Sequence, residues 1–298
     1  MDFFITDVFG TTRYTGNPLA TLLHCRSLTS AEMQQIAREM NFSETTFILT
    51  ETPVDTGYDV RIFTPSAEIP FAGHPTLGTA FIVQQHVIRR PVEKVTLNLA
   101  SGKIDVSFAT AQVDGRLWMR QAQPEFGPPV DAAAVVSALG LATSDLDPRW
   151  PVAQISTGLP QIIVPLRSLD ALKRAAPARE RYDQLVQSTW AKCILIFASP
   201  GHVPAHALGV RVFAGYFGVP EDPATGSANG CLAAYLVRHR CFGAASIDLV
   251  TGQGFEIGRP SELALRAREE GGVFTIDVGG RVTPVATGRW LHSGDAST

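Results

Sequence analysis

Cysteine is scarce in this chain, and Cys25, Cys193, Cys231 and Cys241 lie far apart except for the last two. They form no paired metal-ligand spacing, so free, buried thiols are expected rather than a disulfide or a metal site. Charge is also sparse: charged residues make up 18% of the chain, the formal net charge is -3, and the basic residues are scattered. A surface that neutralises phosphates needs clustered Lys and Arg, so no nucleic-acid partner is expected. No uninterrupted apolar run reaches about 20 residues, the length a membrane helix requires. The opening MDFFITDVF alternates as a strand does and has no basic segment followed by an apolar run. No export is therefore expected, and the chain is assigned to the cytoplasm.

What is present points to a compact α/β protein. With 298 residues and 45% apolar content, the chain has material for two ordinary cores. Phe3 to Phe9 and Leu19 to Leu23 read as strands. Thr29 followed by Glu32 is a reciprocal cap for a helix over 30–40, in which Met33, Ile36, Ala37 and Met40 recur at helical spacing. That helix leads to Glu44, just ahead of a strand from Phe47 to Thr50. After a strand at Tyr58 to Thr64, Pro75 suits the first position of a helix over 75–86, opening behind Gly73 and His74. Strands near 93–99, 103–109 and 115–121 follow. The prolines and glycine between Ala122 and Pro129 break either period, placing a domain boundary there, with domains at 1–122 and 123–298.

Beyond the break the order repeats: a helix at 131–139, strands at 152–156 and 161–166, helices at 168–174 and 179–187, strands at 193–199 and 207–213, then a helix behind Gly226 and Ser227. Arg61-Ile62-Phe63 is echoed by Arg211-Val212-Phe213, and Gly16-Asn17-Pro18-Leu19 by Gly158-Leu159-Pro160-Gln161. These echoes predict a duplicated chain. The tail reads as a hairpin, Val273 to Val278 and Arg281 to Trp290, that completes one half or the other.

A helix start offers unpaired N–H groups and partial positive charge, so Gly73-His74 and Thr225-Gly226-Ser227 are candidate anion sites; ordinary helix capping is the other explanation for each. In a duplicated protein both would face one cleft and hold a substrate carboxylate or a developing enolate. Glu44, His74 and Asp222 are the titratable residues nearest these features. A buried carboxylate can act as a base near neutral pH, and an imidazole gives or takes a proton with little tuning; otherwise Glu44 and Asp222 cap helices and His74 is a first-turn polar residue. Asp7, Glu68 and Glu221 fit turn or cap positions. His24, His86, His202, His206, His239 and His292 lack a metal pattern and are assigned structural places.

The stretches Asp7-Val8-Phe9, Thr15-Gly16-Asn17-Pro18-Leu19-Ala20, Asn41-Phe42-Ser43-Glu44-Thr45, Pro70-Phe71-Ala72-Gly73-His74-Pro75-Thr76-Leu77-Gly78 and Pro220-Glu221-Asp222-Pro223-Ala224-Thr225-Gly226-Ser227-Ala228, with Gln253-Gly254 and Gly258-Arg259-Pro260-Ser261, closely resemble the phenazine-biosynthesis isomerase-like family. The resemblance implies the diaminopimelate-epimerase-like fold, two pseudo-symmetric domains each with a curved mixed sheet around a central helix. The central helices fall at 75–86 and 227–239, with Leu77, Ala80, Phe81, Val83, Leu232, Ala233, Leu236 and Val237 facing sheet. It also implies a homodimer that works without a cofactor. Glu44 falls at the family's catalytic Glu, His74, Asp222 and Ser227 at its substrate-positioning and proton-handling places, and Gly73 and Gly226 at its backbone anion sites. The expected chemistry is isomerisation of a small carboxylate-bearing substrate, similar to trans-2,3-dihydro-3-hydroxyanthranilate isomerase. An amino-acid racemase or epimerase, which needs acid/base groups on both substrate faces, and a non-catalytic metabolite-binding protein are the alternatives.

Overall fold

The structure, a computed structural model, describes residues 1–109 and 115–291. The chain forms two compact units, one built from Met1–Met119 with the C-terminal segment that begins at Gly280, the other from Arg120–Gly279.

The first unit runs β1 (Asp2–Val8), β2 (Asn17–Leu22), α1 (Ser30–Met40), β3 (Glu44–Ile48), β4 (Tyr58–Phe63), β5 (Glu68–Ile69), α2 (Gly73–Ile82), β6 (Lys94–Leu99), β7 (Gly102–Phe108) and β8 (Leu117–Arg120). β1 pairs antiparallel with β2, β2 parallel with β3, β3 antiparallel with β4, and β4 both antiparallel with β5 and parallel with β6. β7 lies antiparallel between β6 and β8. The C-terminal strand Val282–Arg289 closes this sheet against β1.

α2 packs on β1, β2, β3, β6, β7 and the C-terminal strand. Its sequence, GHPTLGTAFI, is poor in strong helix formers, yet all of it except Phe81 is buried. A helix that is buried all round draws its stability from packing rather than propensity. Gly78 sets how close it sits: a Cβ there would come within 2.5 Å of Leu19 Cδ2 and 2.9 Å of Val8 Cγ2. α1 covers the other face. Its start is the expected capping box, Glu32 N donating to Thr29 Oγ1 at 3.3 Å and Thr29 N to Glu32 Oε2 at 2.8 Å, and its Met33, Ile36 and Ala37 join Leu22, Phe47 and Phe63 in one core.

The second unit runs β9 (Glu125–Phe126), α3 (Ala132–Ala138), β10 (Ala153–Ser156), β11 (Gln161–Pro165), α4 (Leu169–Arg174), α5 (Arg179–Ser188), β12 (Cys193–Ala198), β13 (Leu208–Ala214), β14 (Val219–Asp222), α6 (Gly226–Arg238), β15 (Ser246–Gln253), β16 (Ser261–Glu270) and β17 (Val273–Gly280); the C-terminal strand is β18. β10 pairs antiparallel with β9 and β11, β11 parallel with β12, β12 antiparallel with β13, and β13 both antiparallel with β14 and parallel with β15. β16 lies antiparallel between β15 and β17. α6, buried from Ala228 to Val237, packs on β10, β11, β15 and β16, while α3, α4 and α5 share a separate apolar layer with β11 and β12.

The fold is thus α+β, with a mixed sheet against a buried helix in each unit. Several elements differ from the sequence reading. β3 starts at Glu44 itself, because the parallel ladder with β2 begins there, Leu19 opposite Glu44. α2 begins at Gly73, so Pro75 is its third residue, and the α-helix ends at Ile82 before a wider π segment through Ile88, marked by Arg89 N bonding Gln84 O. The predicted C-terminal hairpin is replaced by two strands with separate partners: only Arg281 stands between β17, in register with β16, and β18, in register with β1. Residues 125–126, inside the expected interdomain break, already form the second unit's first strand, and His292 lies outside the described residues.

Candidate active site

In the first unit, the strand faces that meet α2 carry the candidate chemistry. Leu19 contacts the Gly78 surface of α2, so Asn17, two residues earlier on β2, points to the same side at the first turn of the helix. Thr46 of β3 also faces α2, accepting a hydrogen bond from Thr79 Oγ1 at 2.8 Å and sharing one with Thr21 Oγ1 at 2.9 Å. Glu44, two residues before Thr46, therefore also faces the helix start. His74, the second residue of α2, meets it: Nε2 lies 3.3 Å from Glu44 Oε2, a close polar approach outside good hydrogen-bond alignment. Both side chains are sheltered, at 6% and 16% exposure. On the other ring edge, His74 Nδ1 is 3.3 Å from Asn17 Nδ2.

Burial alone pushes the His74 pKa down to about 3 from an ordinary 6.5. Between those values the unfolded chain binds a proton at His74 and the folded chain does not. This contribution to stability is complete above the ordinary value and is lost progressively as pH falls toward about 3. Replacing His74 with Asn should flatten the dependence of unfolding free energy on pH by up to about 1.4 kcal/mol per pH unit in that window. Urea unfolding measured from about pH 4 to pH 6 checks it. An unchanged slope would show that the folded ring is already protonated.

Asp222 and Ser227 lie in the second unit. Asp222 ends β14, and the Thr225 hydroxyl donates to its Oδ2. Gln253, at the end of β15 and fully buried, holds this turn: Nε2 donates to the Asp222 carbonyl at 2.8 Å and to Thr225 Oγ1 at 3.1 Å, while Oε1 accepts from Asn229 Nδ2 at 2.9 Å. Gly254 beside it needs to be glycine, with φ +77 and a would-be Cβ only 2.4 Å from Arg259 O. Gly226 and Ser227 open α6 as Gly73 and His74 open α2. In both helices the fourth residue bonds back to the N-cap carbonyl, Thr76 Oγ1 to Ala72 O at 2.7 Å and Asn229 Nδ2 to Thr225 O at 3.1 Å. Among the described residues no side chain caps either first turn, and neither turn holds an acid. Each start thus presents backbone N–H groups and the positive end of the helix dipole to an anion.

The sequence reading assigned no role to Asn17, Gln253 or the Thr21–Thr46–Thr79 chain. Asn17 and Gln253 stood in the quoted motifs, but what they hold becomes visible only once the strands are paired. Asp7, Glu68 and Glu221 stand on strands β1, β5 and β14 rather than at turns or caps, because each is held by a partner beside its strand: Asp7 Oδ2 accepts from Tyr14 N at 2.5 Å, Glu68 pairs with Arg61, and Glu221 pairs with Arg211. His202 bonds Glu256 at 2.7 Å and stacks on Phe255. All four cysteines are free; Cys25, Cys193 and Cys231 are buried and Cys241 partly so. Among the described residues no group of three or more His, Cys, Asp or Glu could hold a metal, and no helix is long and apolar enough to cross a membrane.

Mixed sheets against buried helices define a class of α+β fold that is also found in an epimerase of known structure. The hydroxyproline epimerase of Agrobacterium vitis superposes with TM-score 0.63 at 9% identity, over 97% of this chain and 91% of that one, a likeness of fold alone. The chain belongs to the phenazine biosynthesis-like protein family, which it matches over residues 6–288. It is 35% identical to the trans-2,3-dihydro-3-hydroxyanthranilate isomerase of Pseudomonas aeruginosa over 96% of this chain and 98% of that protein. The Bacillus anthracis phenazine biosynthesis protein of the PhzF family superposes with TM-score 0.89 at 26% identity, over 98% of this chain and 99% of that one. The protein is an isomerase of this family that works by acid/base catalysis.

Proposed function

We propose that the protein moves a proton between two carbons of a small, unsaturated, carboxylate-bearing substrate without a cofactor, a reading supported by its likeness to the Pseudomonas aeruginosa relative named as an isomerase of trans-2,3-dihydro-3-hydroxyanthranilate. The observation that carries this reading is the sheltered Glu44–His74 pair at the start of α2. Glu44 takes the proton as the C–H bond breaks, and the electron pair spreads into the conjugated system. The same carboxyl returns the proton at the far end of that system, so nothing is oxidised or reduced and one face of the substrate suffices. The Gly73 and His74 N–H groups and the helix dipole favour the charge that develops. Gly226 and Ser227 supply the corresponding donors in the second unit, and Asp222 takes the substrate's polar groups, as the family resemblance implies. The homodimer and the cytoplasmic location belong to the same proposal; static light scattering showing a single chain would remove the dimer without touching the chemistry.

A duplicated origin is part of this reading. It is supported by the same succession of antiparallel and parallel pairings in both units, and by Arg61 and Arg211, each pairing with a Glu on the next strand and lying 5.1 and 4.9 Å from the ring of Phe63 and Phe213. The register gives Glu44 a counterpart. Leu19 faces Glu44 where β2 meets β3, and Gln161, its echo, faces Cys193 where β11 meets β12. Burial pushes the Cys193 thiol up to about 12, so this position offers no thiolate base near neutral pH. One strong base rather than two favours isomerisation over racemisation.

The test is incubation with a panel of cyclic and acyclic 2-amino and enamine carboxylates in deuterated water, read by mass and proton spectra. Deuterium gain together with a displaced double bond is expected. Exchange at a chiral α-carbon with loss of optical activity would replace isomerase by racemase, and binding without exchange would leave a metabolite-binding protein.

A further inference from the structure

We infer that Asn17 is a positioning residue that fixes His74 as its Nε2–H tautomer and so aims the ring's single proton at Glu44, a role that deepens the proton-transfer reading and rests on it.

A neutral imidazole carries one proton on one of two nitrogens, and the partner of each nitrogen decides which. A carboxylate accepts and does not donate, so favourable contact with Glu44 Oε2 at 3.3 Å places the proton on Nε2. Nδ1 must then accept, and the group facing it is the Asn17 amide Nδ2, a donor, at 3.3 Å. The two edges agree on one tautomer. Burial disfavours the doubly protonated ring, so the arrangement holds a neutral ring.

The fold makes Asn17 hard to move. It is fully buried, opens β2 opposite Val8 of β1, and precedes Pro18, whose fixed φ restrains the turn. Gly16 before it has φ +74, and a Cβ there would lie 2.4 Å from both Gly10 N and Val8 O. The Gly-Asn-Pro order thus delivers one amide donor to one ring nitrogen. His74 accordingly acts through Glu44: its ring turns a donor edge toward the carboxylate that meets the substrate, 3.3 Å away, and the imidazolium is not needed as an acid.

The experiment labels histidine with nitrogen-15 in the full chain without added ligand, and identifies the His74 signals by their loss in His74→Gln. In the wild type, Nε2 should resonate as a protonated nitrogen and Nδ1 as a bare one, unchanged from about pH 5 to pH 8, since burial keeps the ring neutral. Asn17→Asp is nearly isosteric but turns the donor into an acceptor, and should move the proton to Nδ1; Asn17→Ala should leave a mixture. A purely structural Asn17 would alter unfolding but not the tautomer. A wild-type ring protonated at Nδ1 overturns the assignment, even if neither variant folds. So does a folded Asn17→Asp protein that keeps the Nε2–H pattern. Absence of deuterium uptake by the wild type would defeat the proton-transfer reading instead, and would leave these spectra unaltered.

Discussion

Glu44→Gln should abolish most turnover while leaving ligand binding in place, with deuterium incorporation falling about 100- to 10,000-fold, the usual contribution of a general acid/base. Gln keeps the size of Glu and an oxygen within reach of His74 but cannot take a proton from carbon. The position favours a large effect because Glu44 opens β3 in a parallel ladder opposite Leu19 of β2, and the next residue, Thr45, is already paired with Phe63 of β4. The carboxylate is sheltered, at 16% exposure, which limits competition from bulk water. A Glu that served only to order the helix start would give a different result: lower stability and near-normal exchange in molecules that remain folded. Affinity, thermal unfolding and deuterium uptake measured on one preparation separate the two. Near-wild-type exchange in folded Glu44→Gln protein would remove Glu44 as the base.

The largest stability effect is expected at Arg211 rather than at its counterpart Arg61. Both make two-pronged bonds to a Glu on the next strand: Arg211 to Glu221 at 2.9 and 2.7 Å, Arg61 to Glu68 at 2.8 and 2.5 Å. Their surroundings differ. Arg211 is 8% exposed and its remaining nitrogen donates to Leu172 O at 2.9 Å and Ala175 O at 2.7 Å, satisfying the carbonyls where α4 ends. Arg211→Ala would leave a buried carboxylate and these carbonyls without their donor, a loss of about 3–5 kcal/mol. Arg61 and Glu68 are 26% and 37% exposed, so water substitutes for either partner and Arg61→Ala should cost less than about 1 kcal/mol. Urea unfolding of the two variants gives the comparison, and equal losses would contradict the burial argument.

Local chemistry made much of the fold legible. The Thr29–Glu32 cap marked α1, the β-branched and aromatic runs marked β1, β4, β12 and β13, and the glycines at Gly73 and Gly226 marked the two central helices. β15 and β16 escaped notice. The run from Ser261 to Glu270, SELALRAREE, is rich in helix-forming Ala, Leu, Glu and Arg, yet it is the middle strand between β15 and β17. Pairing on both edges outweighs an intrinsic preference worth less than about 1 kcal/mol per residue.

The sequence by itself determined the family, the two buried helices and the identity of Glu44, His74, Asp222, Gly226 and Ser227 as candidates, because motifs, caps and glycine punctuation act over a few residues. It could not say that Asn17 reaches His74, that Gln253 holds Asp222, that Arg211 is buried where Arg61 is not, or that the last two strands part at Arg281. Each of these depends on which strand lies beside which, and strand pairing joins residues as distant as Ile5 and Ala286. Proton placement at His74 is likewise a tertiary property, since a ring's tautomer follows from the partners at its two edges, and those come from β2 and β3 while the ring comes from α2.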